Sequence, residues 1–553
     1  MKQVIYQVLP RLLGREPVRN IPCGSVEQNG CGKFNDFDER VLQHIHDLGA
    51  THVWFTGVIR HATQTDYTQY GIPCQHPDIV KGRAGSPYAI TDYYDVDPDL
   101  AVNVNQRMEE WMALVERTHR MGMKVVMDFV PNHVARQYHS IAKPLGVKDL
   151  GEGDNTDYHF STANNFYYCW GQPLDLSDIP TNSDGNRYQE QPAKATGNDH
   201  FDNRPGRNDW YETIKLNYGI DYCDAGGRSE HFNPIPDTWS KMTDILLFWA
   251  QKGIDAFRCD MAEMVPTAFW QWAIDKVKFL HPQIQFIGEV YDPNQYRNYL
   301  NAGFDLLYDK VGMYDCLRNV VCGRCNAADI THAWQATDDI RDHMLYFLEN
   351  HDEQRITSDF FAVDAQKAIP ALVVATLLQS NAFMLYAGQE VGERGMNEEG
   401  FSGHDGRTTI FDYWTVDSLQ RAFFNRRRMR KEERQLEQCY QKVLKQLLKE
   451  KAVYDGQTFD LMYVNPQLSQ RQFAFLRKAA TDILLVIANF DGNEVTVNVT
   501  IPQHAFDFLA IPQRAFNADD LLSEEKISGQ LSADTPITMT VPAHGARVWK
   551  IKL

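Results

Sequence analysis

"GIDAFRCDMAEM", Gly253 to Met264, is the stretch on which the fold turns. Its front half is an apolar run of strand length. Side chains on a strand alternate between faces, so Ala256, Arg258 and Asp260 point one way and Phe257 and Cys259 the other. A guanidinium and a carboxylate therefore share one face at the C-terminal end of an apolar strand. An ordinary ion pair at a strand edge would account for the two residues taken alone. The surrounding sequence has to decide.

Working outward, short apolar runs alternate with amphipathic stretches. The strand candidates are 3–9, 51–57, 124–130, 254–260, 284–290, 304–309, 343–350 and 382–388; helix-like segments cover 37–48, 105–121, 238–252, 266–280, 358–379 and 416–449. Continuously apolar strands alternating with helices imply a parallel sheet covered by helices. Eight in order suit a (β/α)8 barrel better than an open sheet, which would carry a glycine-rich phosphate turn after its first strand. The barrel is expected over 1–450. Residues 134–235, rich in Asn, Asp, Gly, Tyr and Trp, form a connection long enough to be an inserted subdomain over the catalytic face. Its aromatic run "NNFYYCW" (164–170) is expected to build that subdomain's own core. From about 451 to 553, short alternating strands such as 482–501 and 537–553 predict an appended antiparallel β-sandwich.

With 553 residues and ordinary apolar and charged fractions, the chain can bury a large core. A net charge of −18 argues against a nucleic-acid or anionic-membrane partner and leaves a neutral substrate indifferent. "RRRMRKEER" (426–434) mixes signs at helical spacing and reads as a solvated helix face. No run approaches a membrane span. The opening "MKQVIYQVLPRLL" lacks a signal-peptide pattern and the ten cysteines are scattered, so a cytoplasmic, reduced protein is expected. Cys316, Cys322 and Cys325 lack a fourth zinc ligand at any familiar spacing.

In a barrel, chemistry sits at the C-terminal strand ends. Those ends carry Asp128, Asn132 and His133 ("DFVPNH"), Arg258 and Asp260, Glu289 ("FIGEVYD"), and Asn350, His351 and Asp352 ("FLENHDEQR"). Carboxylates from separate strands converging with a cation cost free energy that fold stability does not repay. Their use is in glycosidic cleavage, where one carboxylate attacks and another donates a proton. Arg258 is expected to keep Asp260 ionised, and the apolar neighbours of Glu289 to raise its pKa.

"DFVPNH", "GIDAFRCD", "FIGEVYD" and "ENHD" resemble, in order, the four signature regions of the α-amylase family of retaining glycosidases. "GSPYAITDYYDVDP" (85–98), "WYETIKLNYG" (210–219) and "LYAGQEVG" (385–392) resemble further family segments, so the likeness runs through barrel, inserted B domain and C-terminal β-domain. The resemblance implies Asp260 as nucleophile, Glu289 as general acid/base and Asp352 as the third, transition-state-stabilising carboxylate. It implies that Arg258 orients Asp260, that His133 and His351 hydrogen-bond the sugar, and that Tyr88 stacks on it. It implies an α-glucan oligosaccharide or polysaccharide substrate, no required cofactor, and a calcium ion left open at Asn132.

Where many members carry Lys-His after the nucleophile, this chain has Glu263 and Met264, which bears on linkage and chain length. The backbone carbonyl at the second position would serve a calcium shared with Asn132. Its acidic partner is sought among Asp154, Asp157, Asp175 and Asp178, with "NSDGNR" (182–187) only a loose calcium loop. Hydrolysis of α-1,4 bonds in maltooligosaccharides, starch or dextrins is the expected activity. A maltosyl- or glucanotransferase shares the same residues, and an inactive sugar-binding member would have lost a carboxylate.

Overall fold

The alternation read at residues 256–260 is carried into three dimensions. In the computed structural model, which describes residues 2–16, 19–181 and 183–552, Ala256 belongs to an apolar cluster inside a closed barrel. Phe257 and Cys259 belong to the larger cluster outside it. The barrel strands are β1 (Val4–Val8), β2 (His52–Phe55), β3 (Lys124–Phe129), β4 (Ala256–Cys259), β5 (Gln285–Gly288), β6 (Leu306–Tyr308), β7 (Met344–Phe347) and β8 (Ala382–Tyr386). Each pairs in parallel with its neighbours in sequence, and β1 pairs with β8 to close the ring. Ile5, Trp54, Val126, Ala256, Ile287, Leu306, Leu345 and Met384 fill the interior, so it is a packed core and not a pore. Register then sets the heights. Arg258 lies opposite Asp128 across β3–β4, and Cys259 opposite Gly288 across β4–β5, so Asp260 and Glu289 emerge side by side above the apolar layers.

Four of the expected helices fall where the sequence pattern puts them, at Glu39–Asp47, Arg107–Arg120, Asp237–Gln251 and Thr267–Leu280. The helix expected over 358–379 is confined to Ile369–Leu377. Upstream, Val363 adopts a left-handed φ of 66° and the Asp364 side chain accepts from Gln366 N, which breaks any earlier helix. All nine residues of Ile369–Leu377 are buried, because this helix lies between the barrel and the C-terminal sheet. The segment 416–449 divides into Asp417–Phe423, Lys431–Gln441 and short irregular turns. Tyr296–Asn301, Asp315–Val321 and Asp329–Gln335 are helices too short to show a period in the sequence.

Between β3 and β4 the chain forms three small two-stranded sheets: His133–Ala135 with Thr213–Lys215, Tyr168–Cys169 with Ala193–Lys194, and Ile220–Asp221 with Ser229–Glu230. Cys169, Leu174, Leu176, Ile179, Ala193 and Tyr211 pack with Ile79 as a separate apolar cluster. Of the run 164–170, only Cys169 joins this separate cluster; Phe166 and Tyr168 are buried in the main core, which corrects the expectation of a core of the subdomain's own, and Trp170 is 71% exposed.

Beyond residue 456, a six-stranded antiparallel sheet runs Gln457–Asp460, Gln472–Ala479, Asp482–Asn489, Gly545–Lys552, Arg514–Asp520, Lys526–Leu531 in spatial order. A second sheet pairs Val495–Val499 with Ile537–Val541. The run 537–553 is thus two strands in different sheets, parted at His544, whose φ is 45°. Among the described residues no helix is long and apolar enough to cross a membrane, and no group of three or more His, Cys, Asp or Glu is placed to hold a metal ion. Asn182, at the head of the stretch considered as a calcium loop, and Leu553 lie outside the described residues.

Candidate active site

Arg258 stands at the centre of the strand ends, fully buried. Its Nη1 donates to Asp260 Oδ1 at 2.7 Å and lies 3.5 Å from Asp128 Oδ1. Its Nη2 lies 2.8 Å from Glu289 Oε2, a charge contact without hydrogen-bond alignment. Nε donates to the Tyr308 hydroxyl at 3.2 Å, and the guanidinium sits 5.1 Å from the Trp54 ring centre and 5.5 Å from that of Tyr88. One cation is therefore shared among three carboxyl groups and walled by aromatic rings.

That sharing changes the expected electrostatics. Burial pushes the Asp260 carboxyl well above the usual carboxylate range; Arg258 pulls it down, while Glu289, Asp128 and Asp352 push it up again. Arg258 acts on Asp260 in the expected direction, but burial outweighs it and the same guanidinium also serves Glu289 and Asp128. Asp128 is raised to about 6 by burial, against Arg258 and the Trp54 Nε1 hydrogen bond of 2.9 Å.

Glu289 does not sit in the apolar setting its neighbours in sequence suggest. Besides Arg258, its Oε2 accepts from Met261 N at 2.7 Å and its Oε1 from the Tyr291 hydroxyl at 2.7 Å. Of its apolar sequence neighbours, Phe286 and Val290 belong to the outer core and Ile287 to the cluster inside the barrel. Met261 supplies its N–H from a left-handed conformation, φ 43°, costly for a side chain that is not glycine. Glu263 accepts from the backbone N–H groups of Tyr291 and Asp292 at 2.8 and 3.1 Å, fixing the loop that carries Tyr291.

His351 is held on both ring nitrogens. Nδ1 meets Gln7 Nε2 at 2.7 Å, and Nε2 meets the Tyr88 hydroxyl at 2.5 Å and Asp352 Oδ2 at 3.2 Å. Burial and Arg258 bring its pKa down to about 3, so the ring is neutral. Tyr88 stacks on His351, ring centres 5.3 Å apart and planes at 27°. Its loop approaches the barrel through Gly85, whose φ is +75° and where a Cβ would lie 1.6 Å from the Ala62 carbonyl oxygen. Asp352 is the most open of the carboxylates, its side chain 41% exposed. His133, brought down to about 3 by burial and by Lys215 and Lys81, lies against Trp210 at 5.1 Å.

A cavity of about 190 Å³ joins Tyr88, His133, Asp260, Glu289 and Asp352 with Tyr291 and Trp210. A neighbouring cavity of about 500 Å³ shares Asp352, Lys81, Ile410 and Phe411 with it and adds His351, Arg207 and Arg407. A larger one, about 960 Å³ and lined by Glu393, Arg394 and Arg421, contains none of the expected site residues. The smallest of the three is the candidate site, since there Asp260 and Glu289 flank a space walled by Tyr88, Tyr291 and Trp210.

Asn132 lines none of these cavities. Its Nδ2 donates to Gly197 O at 2.7 Å and to the His133 ring, and its Oδ1 accepts from Lys215 Nζ. Sequence reasoning missed Lys215, Asp199, Tyr291 and Trp54. Tyr291 stands two residues after Glu289, and Lys215 lies within the quoted "WYETIKLNYG", so a signal existed for two of them. Asp199 had none.

The family model for the alpha amylase catalytic domain matches residues 26–449. Alpha-amylase MalA of Haloarcula japonica is 25% identical over 365 residues, covering 65% of this chain and 41% of that protein. An alpha-1,4-glucan:maltose-1-phosphate maltosyltransferase of Cereibacter sphaeroides is 37% identical over 295 residues, 52% of this chain and 32% of that one. The chain spans about half the length of the curated relatives it matches. Among solved structures, the noncanonic maltogenic alpha-amylase AmyB from Thermotoga neapolitana superposes with a TM-score of 0.64 at 18% identity, covering 100% of this chain and 99% of that one; the likeness is one of fold.

Proposed function

The chain belongs to the alpha-amylase family of glycosidases, and from that premise we propose that it cleaves α-1,4-glucosidic bonds in maltooligosaccharides, starch or dextrins by double displacement. The observation that carries the reading is the Arg258 guanidinium bridging Asp260 and Glu289 at the wall of the cavity. Two carboxylates at the two ends of one guanidinium suit the short spacing, about 5–5.5 Å, of a retaining pair. In this reading Asp260 attacks the anomeric carbon and Glu289 protonates the leaving oxygen, then activates the water that releases the sugar. Met261 N–H and Tyr291 hold Glu289 in line. Asp352, exposed to the cavity, takes the sugar hydroxyls, and neutral His133 and His351 offer uncharged hydrogen bonds beside it. Tyr88 supplies a ring for the sugar to stack on and Trp210 a second aromatic wall. Residues 134–235 act as the B domain, forming one side of the cleft through Trp210, Glu212 and Thr213, and residues 451–553 brace the barrel through the helix Ile369–Leu377.

The transferase reading draws support from the 37% identity to a maltosyltransferase. It uses the same residues and differs in whether water or a sugar hydroxyl resolves the intermediate. All ten cysteines are free, which fits a reducing compartment. The decisive experiment is trapping. A 5-fluoro-α-glycosyl fluoride should label the peptide containing Asp260, as read by mass spectrometry, and labelling elsewhere or none would sink the assignment.

A further inference from the structure

The donors expected around a calcium ion at Asn132 meet an ammonium. Lys215 Nζ bonds the Asn132 Oδ1, lies 2.6 Å from Asp199 Oδ1, and donates to the Met264 carbonyl at 3.5 Å. Its side chain is 2% exposed and Asn132 is fully buried. None of Asp154, Asp157, Asp175 or Asp178 takes part. Asp154 is spent on the backbone N–H groups of Asn165 and Phe166, and Asp178 pairs with Arg204. The residues do not fit a divalent ion. One carboxylate and two neutral oxygens already face a fixed positive charge, and a second cation at the same point would meet it without added ligands.

We propose that the Lys215 ammonium is this protein's built-in substitute for a structural metal. It ties together three segments around the cleft: the loop after β3 through Asn132, the inserted segment through Asp199 and Lys215 itself, and the loop after β4 through Met264. The backbone supports this placement. Lys215 is the cross-strand partner of His133, which aims its long side chain back past Asn132. Asp199 holds a left-handed φ of 61° that turns its carboxylate toward the ammonium. A buried lysine with three oxygen partners satisfies its three N–H donors, which an ammonium needs and a metal does not.

Thermal unfolding of the full-length protein tests this without reference to activity. The wild type should melt at the same temperature after EDTA treatment and with added millimolar CaCl2, and titration calorimetry should show no calcium uptake. Lys215→Met keeps the length and removes the charge, so it should melt on the order of 5–10 °C lower, because Asp199 and Asn132 lose their partner. In Lys215→Ala, which vacates the space among the three oxygens, calcium should recover part of the loss. A wild type that loses stability in EDTA and regains it with calcium would overturn the proposal. So would a Lys215→Met protein that melts like the wild type.

Discussion

Replacing Arg258 by Gln removes the single positive charge around which the strand-end carboxylates are assembled. At an effective dielectric of about 20, each carboxylate–guanidinium contact some 4 Å between charge centres is worth ~4 kcal/mol. That is an upper limit for the upward push on Asp260, since water and proton uptake relax the cluster. An acid limb of kcat/KM moved up by about one to two pH units is the expected result. Stability follows the same linkage. A carboxyl raised in the folded state binds its proton more tightly there than in the unfolded chain, so stability is intact below the unfolded value and declines as pH rises toward the folded one. Arg258→Gln should therefore lose more melting temperature between pH 5 and pH 8 than the wild type. At neutral pH the loss should be about 3–5 kcal/mol, that of removing one member of a buried ion pair. The assay is a pH profile of kcat/KM on maltoheptaose with parallel melts. At pH 6 the rate should fall about 10²- to 10³-fold and partly recover as pH rises. An unshifted acid limb with activity within tenfold of wild type would refute the argument that this cation sets the carboxylates' charge.

Asp128→Asn removes one of the carboxylates that push Asp260 up and keeps an acceptor for Trp54, so the acid limb should move to lower pH in the same profile. Tyr291→Phe deletes the hydrogen bond to Glu289 Oε1, and kcat should fall about 10- to 100-fold with KM little changed, as steady-state kinetics would show. Gly85→Ala forces a Cβ into the Ala62 carbonyl in a left-handed backbone, which should cost at least about 2 kcal/mol in denaturant unfolding and raise KM by displacing Tyr88.

The barrel was legible because its strands are apolar on both faces and its chemistry interrupts that pattern only at their ends. Arg258 and Asp260 stand out in "IDAFRCD" because nothing in a strand's packing calls for them. Asp352 and Glu289 were found by the same interruption. What sequence could not show was who shares Arg258. Phe286 and Val290 lie on the opposite strand face from Glu289, and its true partners, Met261 N–H and Tyr291, come from loop geometry. Asp199 lies 67 residues from Asn132 in an irregular segment with no periodicity to place it. The short helices after β5 and β6 were missed for the same reason. Ile369–Leu377 was overextended because a helix buried all round carries no amphipathic edge to mark its ends.

Cleavage of an α-glucan by Asp260 and Glu289 with retention is visible in the anomeric form of the first products. Proton NMR of fresh products from maltoheptaose, wild type beside Asp260→Asn, tests it most directly. New reducing ends should form first as the α-anomer, and the folded variant should be slower by several orders of magnitude. Products born as the β-anomer, or an Asp260→Asn variant of near wild-type rate, would contradict it.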